Sequence, residues 1–429
     1  METLQAGFGL ADTSPLVGTP LAGYIRVRYA SGVRDPLFAR ALALSDGATS
    51  VLVIACDVLA MAAEDVAAAR AKIAARLPVK PENVWFFSTH AHTAPALVPC
   101  FETPRSDEYA ARLPNLVLLA ADTAWHDLAP ATPSFARADV PGVAFERRYR
   151  MKDGTIRTNP GVGNPEIVEP ERQIRTPLSL LAFERDPTRL PIVLASFPCH
   201  ADVVGGTDAS ADYPGRTCNE LTHRLPGHPE TLFLLGACGD VNHIDVNASE
   251  AAGGYDHAVR MARRLGEAAV AAWPERIPVA GALDIRRTTV ALPRRPVDPA
   301  ALKEARTIVT REQAFGKQLT TEGIWARELV LLAEMPETMA REVAVLAIGD
   351  VAIVALHGEV FTALSDRIAD ASPFAHTVVA ELYDDGEAYV LPEGDYGQQG
   401  YEERPARSSP YAPGAGERLV EAALGLFRR

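Results

Sequence analysis

The sequence has no run approaching the roughly 18 to 20 uninterrupted apolar residues of a membrane span, so no integral membrane segment is expected. Its opening residues, METLQAGFGLADTSP, lack the basic stretch and long apolar stretch of a signal peptide. Cysteine is scarce. The five present (Cys56, Cys100, Cys199, Cys218 and Cys238) are odd in number and never spaced C-x-x-C, which argues against a zinc-thiolate site or a disulfide framework. Reduced thiols in a cytoplasmic protein fit best. Positive charge is also in the minority, at 42 Lys and Arg against 55 Asp and Glu. The net charge of −13 leaves little basis for a nucleic-acid partner, which Lys and Arg must neutralise. The absence of H-E-x-x-H argues against the thermolysin type of zinc protease, though not against other zinc sites. No fixed-period repeat, low-complexity tract or linker is present, so one domain over residues 1–429 is expected.

What is present reads as α/β. Residues 38–44 and 50–55 have strand character and are joined by the turn signal Asp46-Gly47. Residues 59–77 and 106–127 carry helical periodicity, with an apolar strand, VWFFS, at 84–88 between them. Residues 141–177 are rich in Pro, Gly and Arg and have no clear period. Further strands are expected at 178–183, 192–197, 231–235, 279–292, 342–348, 351–356 and 378–382. Helices are expected at 214–224, 256–273, 299–315, 321–335 and 417–427. The pattern predicts layered mixed β-sheets flanked by helices.

One motif recurs four times: an apolar strand ends, and a histidine or acid follows shortly. VWFFS leads to His90 and His92, IVLASF to His200, TLFLL to Asp240, and VAIVAL to His357 and Glu359. Ligands of open α/β sheets bind at the carboxyl ends of strands, so four such points suggest one convergent site. Each histidine alone fits a hydrogen-bonded structural residue equally well. On an extended segment His90 and His92, spaced i, i+2, would point the same way and could share a metal, or divide the roles of ligand and base.

The run Ser88-Thr89-His90-Ala91-His92-Thr93-Ala94-Pro95 resembles the T-H-x-H-[ST]-x-P motif of the neutral (non-lysosomal) ceramidases. Residues 7–15 and 21–24 resemble that family's N-terminal strand and following loop. Cys199-His200, Gly239-Asp240-Val241 and Gly358-Glu359 with Phe361-Thr362 resemble three further elements in order. YVLPEGDYGQQGYE, from Tyr389 to Glu402, resembles the family's tyrosine-rich run, and the agreement spans nearly the whole chain.

The resemblance implies a ceramidase catalytic-domain-like fold and a zinc site made by His90, His200, Glu359 and Tyr389, a donor set that zinc accepts. It implies His92 as the base, and Tyr401 with Arg147 or Arg148 as partners of a developing oxyanion. Asp240 is expected either to orient a ligand histidine or to cap a buried turn, and His243 to lie near the pocket. Two departures stand out. Asn242-His243 replaces the Ser-Pro of the long family members, which removes a serine nucleophile, and no C-terminal β-sandwich domain is expected.

The leading expectation is a zinc-dependent hydrolase that cleaves an amide bond. The alternatives are a metal-assisted lyase or esterase on the same scaffold, or a binding protein without catalysis. The substrate is expected to be a small molecule, lipid-like or an acidic sugar. Arg26, Arg28, Arg147, Arg148 and Arg150 would suit an anionic one. Homo-oligomer formation stays open.

Overall fold

The computed structural model describes residues 3–314, 318–386 and 388–428. Its largest element is a nine-stranded mixed sheet. Eight strands run in the order Glu230–Leu235, Ile192–Phe197, Pro177–Arg185, Ala129–Asp139, Gln5–Asp12, Phe38–Ser45, Ser50–Cys56 and Val84–Ser88, and Ile277–Pro278 pairs off this path with Ala129–Asp139. A four-stranded sheet follows the order Leu283–Pro293, Thr338–Ile348, Val351–Ala355 and His376–Ala380.

The alternating side chains explain how the layers stack. Phe8, Leu44, Val53, Trp85, Phe183 and Leu194 on one face of the large sheet share a core with Leu346, Ile353 and Val378 of the small one. The opposite face of the large sheet is covered by four helices. Ala63–Arg76 and Asp107–His126 lie over one half, and Asp212–Arg224 and Tyr255–Ala272 over the other. Thr362–Asp370 and Ala415–Phe427 cover the outer face of the small sheet. The result is helix, sheet, sheet, helix. This is the expected layered α/β architecture.

Within the two large sheets three strand pairs are parallel: Ser50–Cys56 with Val84–Ser88, Ile192–Phe197 with Glu230–Leu235, and Val351–Ala355 with His376–Ala380. The large sheet also curls until its terminal strands, Val84–Ser88 and Glu230–Leu235, lie in contact. That curl brings the carboxyl ends of the first two pairs to one place. The bridges Gly236 to Ala380 and Phe87 to Tyr383 join the small sheet to the same place.

The strand Ala129–Asp139 escaped the sequence reading, because APATPSFARAD has two prolines and few large apolar residues. Residues 141–177, read as irregular, contain a small sheet of Arg148–Met151, Ile156–Thr158 and Ile167–Pro170. The helix expected to reach residue 315 is seen as Pro299–Ala314, and residue 315 lies outside the described residues. All five cysteines are free and buried. No helix among the described residues is long and apolar enough to cross a membrane.

Candidate metal centre

His90 follows the strand Val84–Ser88 in a left-handed conformation, with φ of 64°, which a side-chain-bearing residue rarely adopts. Its surroundings impose it. The buried Asp57, paired to Arg40 at 2.7 Å, accepts the Thr89 hydroxyl at 3.2 Å, and His90 N–H donates to Val58 O at 2.9 Å. The segment is therefore not extended, yet the His90 and His92 rings still meet edge to face, with centroids 4.9 Å apart.

His90 Nδ1 lies 2.9 Å from Leu59 O, and His200 Nδ1 lies 3.4 Å from Cys238 O. A carbonyl only accepts, so each Nδ1 carries the proton and each Nε2 is the ring nitrogen left with a lone pair. Those two Nε2 atoms are 3.1 Å apart, and Glu359 Oε2 is 3.4 Å from each. Oε2 is buried, with no well-formed hydrogen bond among the described residues. Two imidazole nitrogens and one carboxylate oxygen thus converge on one point. Ligands at about 2.0–2.1 Å around a tetrahedral zinc stand about 3.3–3.4 Å apart, so the triangle fits a cation in size and in chemistry.

Glu359 and Tyr389 are register partners in a short parallel pair, Glu359–Val360 with Tyr389–Val390, so their side chains emerge side by side. The buried Tyr389 hydroxyl contacts both the Glu359 carboxylate and Arg147. Burial pushes the Tyr389 hydroxyl well up, partly opposed by Arg147. Burial also pushes Glu359 up, but His90, Arg147 and Tyr389 outweigh it and hold the carboxyl below its usual range. Burial drives His200 well below the usual imidazole range, reinforced by Arg147, His90 and His92, which keeps it neutral.

His92 stands beside this group. Its Nδ1 donates to Gly23 O at 2.9 Å and lies 3.6 Å from Asp202 Oδ1, so Nε2 carries the lone pair. That atom is buried and has no hydrogen-bond partner among the described residues. Burial pushes the ring down to about 4, partly opposed by Asp202. Ring nitrogens of His90, His92 and His200 lie within 4.8 Å of one another, so these three histidines could also hold a metal.

The neighbouring arginines differ. Arg147 lies under the Tyr389 ring, 5.2 Å from its centroid, donates to Gly239 O at 2.7 Å and pairs with Glu402 at 2.9 Å. Arg148 is turned away and committed to Glu171 at 2.6 Å, Glu402 at 2.8 Å and Gln398 at 3.1 Å. Tyr401 is 37% exposed, and its ring centroid lies 5.9 Å from that of Tyr389.

Asp240 is engaged at a helix start. Its carboxylate accepts the Thr362 N–H and hydroxyl, both at 2.8 Å, at the start of the helix Thr362–Asp370. His243 faces His257, with ring centroids 5.5 Å apart, and burial lowers it to about 4. Arg26 is paired with Glu102 and Arg150 with Glu169, and Arg28 donates to the carbonyls of Ala22, His92 and Gly206.

Several neighbours were not anticipated. Glu381, raised by burial to about 8, accepts the N–H groups of Cys238 and Val360, and so braces the segment whose Cys238 carbonyl faces His200 Nδ1 and the strand that carries Glu359. Asp202 accepts the Tyr24 hydroxyl at 2.6 Å. Glu402 joins Arg147 and Arg148.

No known family profile matches the sequence, and no curated protein sequence matches it. Solved structures do. Neutral ceramidase from Pseudomonas aeruginosa superposes with a TM-score of 0.71 at 19% identity, covering 100% of this chain and 75% of that one. A ceramidase complexed with C2 superposes with a TM-score of 0.75 at 16% identity, covering 100% of this chain and 76% of that one. The superposition runs over the whole chain, so the layered sheets have the fold of these ceramidases.

Proposed function

We propose that the chain is a zinc-dependent amidohydrolase in which His90, His200, Glu359 and Tyr389 hold the metal. The observation that carries this reading is the buried triangle of two imidazole nitrogens and one carboxylate oxygen, with edges of 3.1, 3.4 and 3.4 Å. The two imidazole donors favour zinc over the hard cations. The likeness to ceramidases supports an amide substrate of lipid-like character.

A divalent cation in this site supplies a Lewis acid and brings the ionisation of water towards neutral pH. The remaining chemistry belongs to the chain. His92 Nε2, neutral at pH 7 and unpartnered, accepts a proton from the attacking water and returns it to the leaving nitrogen. Water oxygen bonds to the carbonyl carbon, the C–N bond breaks, and a carboxylate and an amine leave. Arg147 balances the negative charge around Tyr389, and Tyr401 stands open towards solvent to steady the oxyanion. The fixed bonds of Arg148 to Glu171, Glu402 and Gln398 leave it a supporting part.

The test is metal analysis of the purified protein beside His90→Ala and Glu359→Ala, with release of amine from N-acyl amides followed in parallel. One zinc per chain and amine release in the wild type, both lost in the variants, support the reading. Zinc with a new ultraviolet-absorbing double bond and no amine would instead mark a lyase. Full zinc in either variant would remove that residue from the metal site.

A further inference from the structure

The arginines that the sequence offered for an anionic substrate are all engaged: Arg26, Arg147, Arg148 and Arg150 by carboxylates, and Arg28 by carbonyls. A different guanidinium stands open. Arg404 closes the short 3₁₀ turn Tyr401–Glu403 that also carries Tyr401, and its N–H donates to Tyr401 O at 3.1 Å. The two side chains flank Trp325 of the helix Thr321–Glu334. The Arg404 guanidinium carbon lies 3.8 Å from the Trp325 ring centroid, and the Tyr401 ring is 5.9 Å from it, edge to face. Phe101 continues the row at 5.2 Å. From Tyr389 outward, then, Tyr401, Trp325 and Phe101 form one aromatic wall, with Arg404 on it.

Arg404 is exposed and forms no ion pair with a carboxylate among the described residues. In a chain of net charge −13, a guanidinium set over an indole, at the far end of a row of rings that leads through Tyr401 to Tyr389, and left without an acid is a ready receptor for anionic oxygen.

We propose that Arg404, held on Trp325 and Tyr401, is a specificity-determining residue that receives a carboxylate of the substrate, so that the amides preferred by this site are acidic ones. The proposal rests on the amidohydrolase reading for the words "substrate" and "amide", but its geometry stands independently. The aromatic wall accepts the apolar part of the ligand, and the guanidinium fork accepts the anion.

Sulfonamides imitate amides and resist hydrolysis, so binding can be separated from turnover. Two matched pairs serve as probes: N-octylsulfonylglycine against its carboxamide, and 8-(butylsulfamoyl)octanoic acid against its carboxamide. They place the carboxylate on opposite sides of the reacting bond. Calorimetric titration of the wild type is expected to show about three- to tenfold tighter binding of the acid in at least one pair, the range of a solvent-accessible charged contact. The difference should vanish in Arg404→Gln and survive in part in Arg404→Lys. Equal binding within both pairs, or a preference that persists undiminished in Arg404→Gln, overturns the proposal. An acid preference in a protein that hydrolyses no amide would instead defeat only the reaction assigned above.

Discussion

Replacing Gly23 by alanine is the most discriminating small change the structure offers. Gly23 has φ of +94°, and its carbonyl accepts the His92 Nδ1–H at 2.9 Å. A Cβ built there would lie 2.6 Å from both Cγ and Nδ1 of the His92 ring. Ordinary carbon–carbon contact is about 3.5 Å, so the ring or the loop must give by roughly 0.9 Å. A misplacement of about 1 Å in a catalytic group costs on the order of a hundredfold in rate, or about 2.7 kcal/mol of transition-state stabilisation. The positive φ adds about 1 kcal/mol against folding. The effect should fall on kcat, with zinc content unchanged, because His90, His200, Glu359 and Tyr389 are untouched. Steady-state kinetics beside metal analysis reads both. Unaltered kcat would show that His92 is not the base. Loss of zinc together with activity would show that His92 is a ligand, as the three-histidine grouping permits.

Three further outcomes follow from the same geometry. Glu402→Gln removes the charge shared by the buried Arg147 and Arg148, and should lower stability by about 3–5 kcal/mol in urea denaturation; a change under about 0.5 kcal/mol would show the pairing to be idle. Added zinc should raise the melting temperature of chelator-treated protein, with stability increasing by about 2.7 kcal/mol at a hundredfold excess over Kd, and His90→Ala should respond far less. Asp212, raised by burial to about 7, keeps its proton when folded, while the unfolded chain releases it near pH 4. The folded state therefore binds more protons between these values, and this group makes stability fall as pH rises from about 4 to 7. Asp212→Asn should flatten that part of the stability–pH profile, and an unchanged slope would refute the assignment.

The candidate site was marked in the sequence by punctuation. Each apolar strand is recognisable locally, and His90, His200 and Glu359 stand just beyond strand ends that a curled sheet gathers. Tyr389 and Arg147 carry no such local mark, and only the resemblance pointed to them. The partners that hold the site were invisible for a physical reason: Glu402 meets Arg148 across 254 positions, and Glu381 meets Cys238 across 143. Nothing in the neighbourhood of either residue encodes so distant a contact. Asp240 shows the same limit. Its place after a strand allowed a histidine partner or a cap, and the fold settled its hydrogen bonds on Thr362. Arg404 was passed over because exposed arginines are common, and only its position on Trp325 sets it apart.

The central claim is that one cation sits among the side chains of His90, His200, Glu359 and Tyr389, and anomalous diffraction at the zinc edge tests it directly. A single strong peak about 2.0–2.2 Å from His90 Nε2, His200 Nε2 and Glu359 Oε2, with the Tyr389 oxygen in contact, is the predicted result. A peak bound by His92 and remote from Glu359, or no peak at this position in zinc-supplemented crystals, would contradict the account.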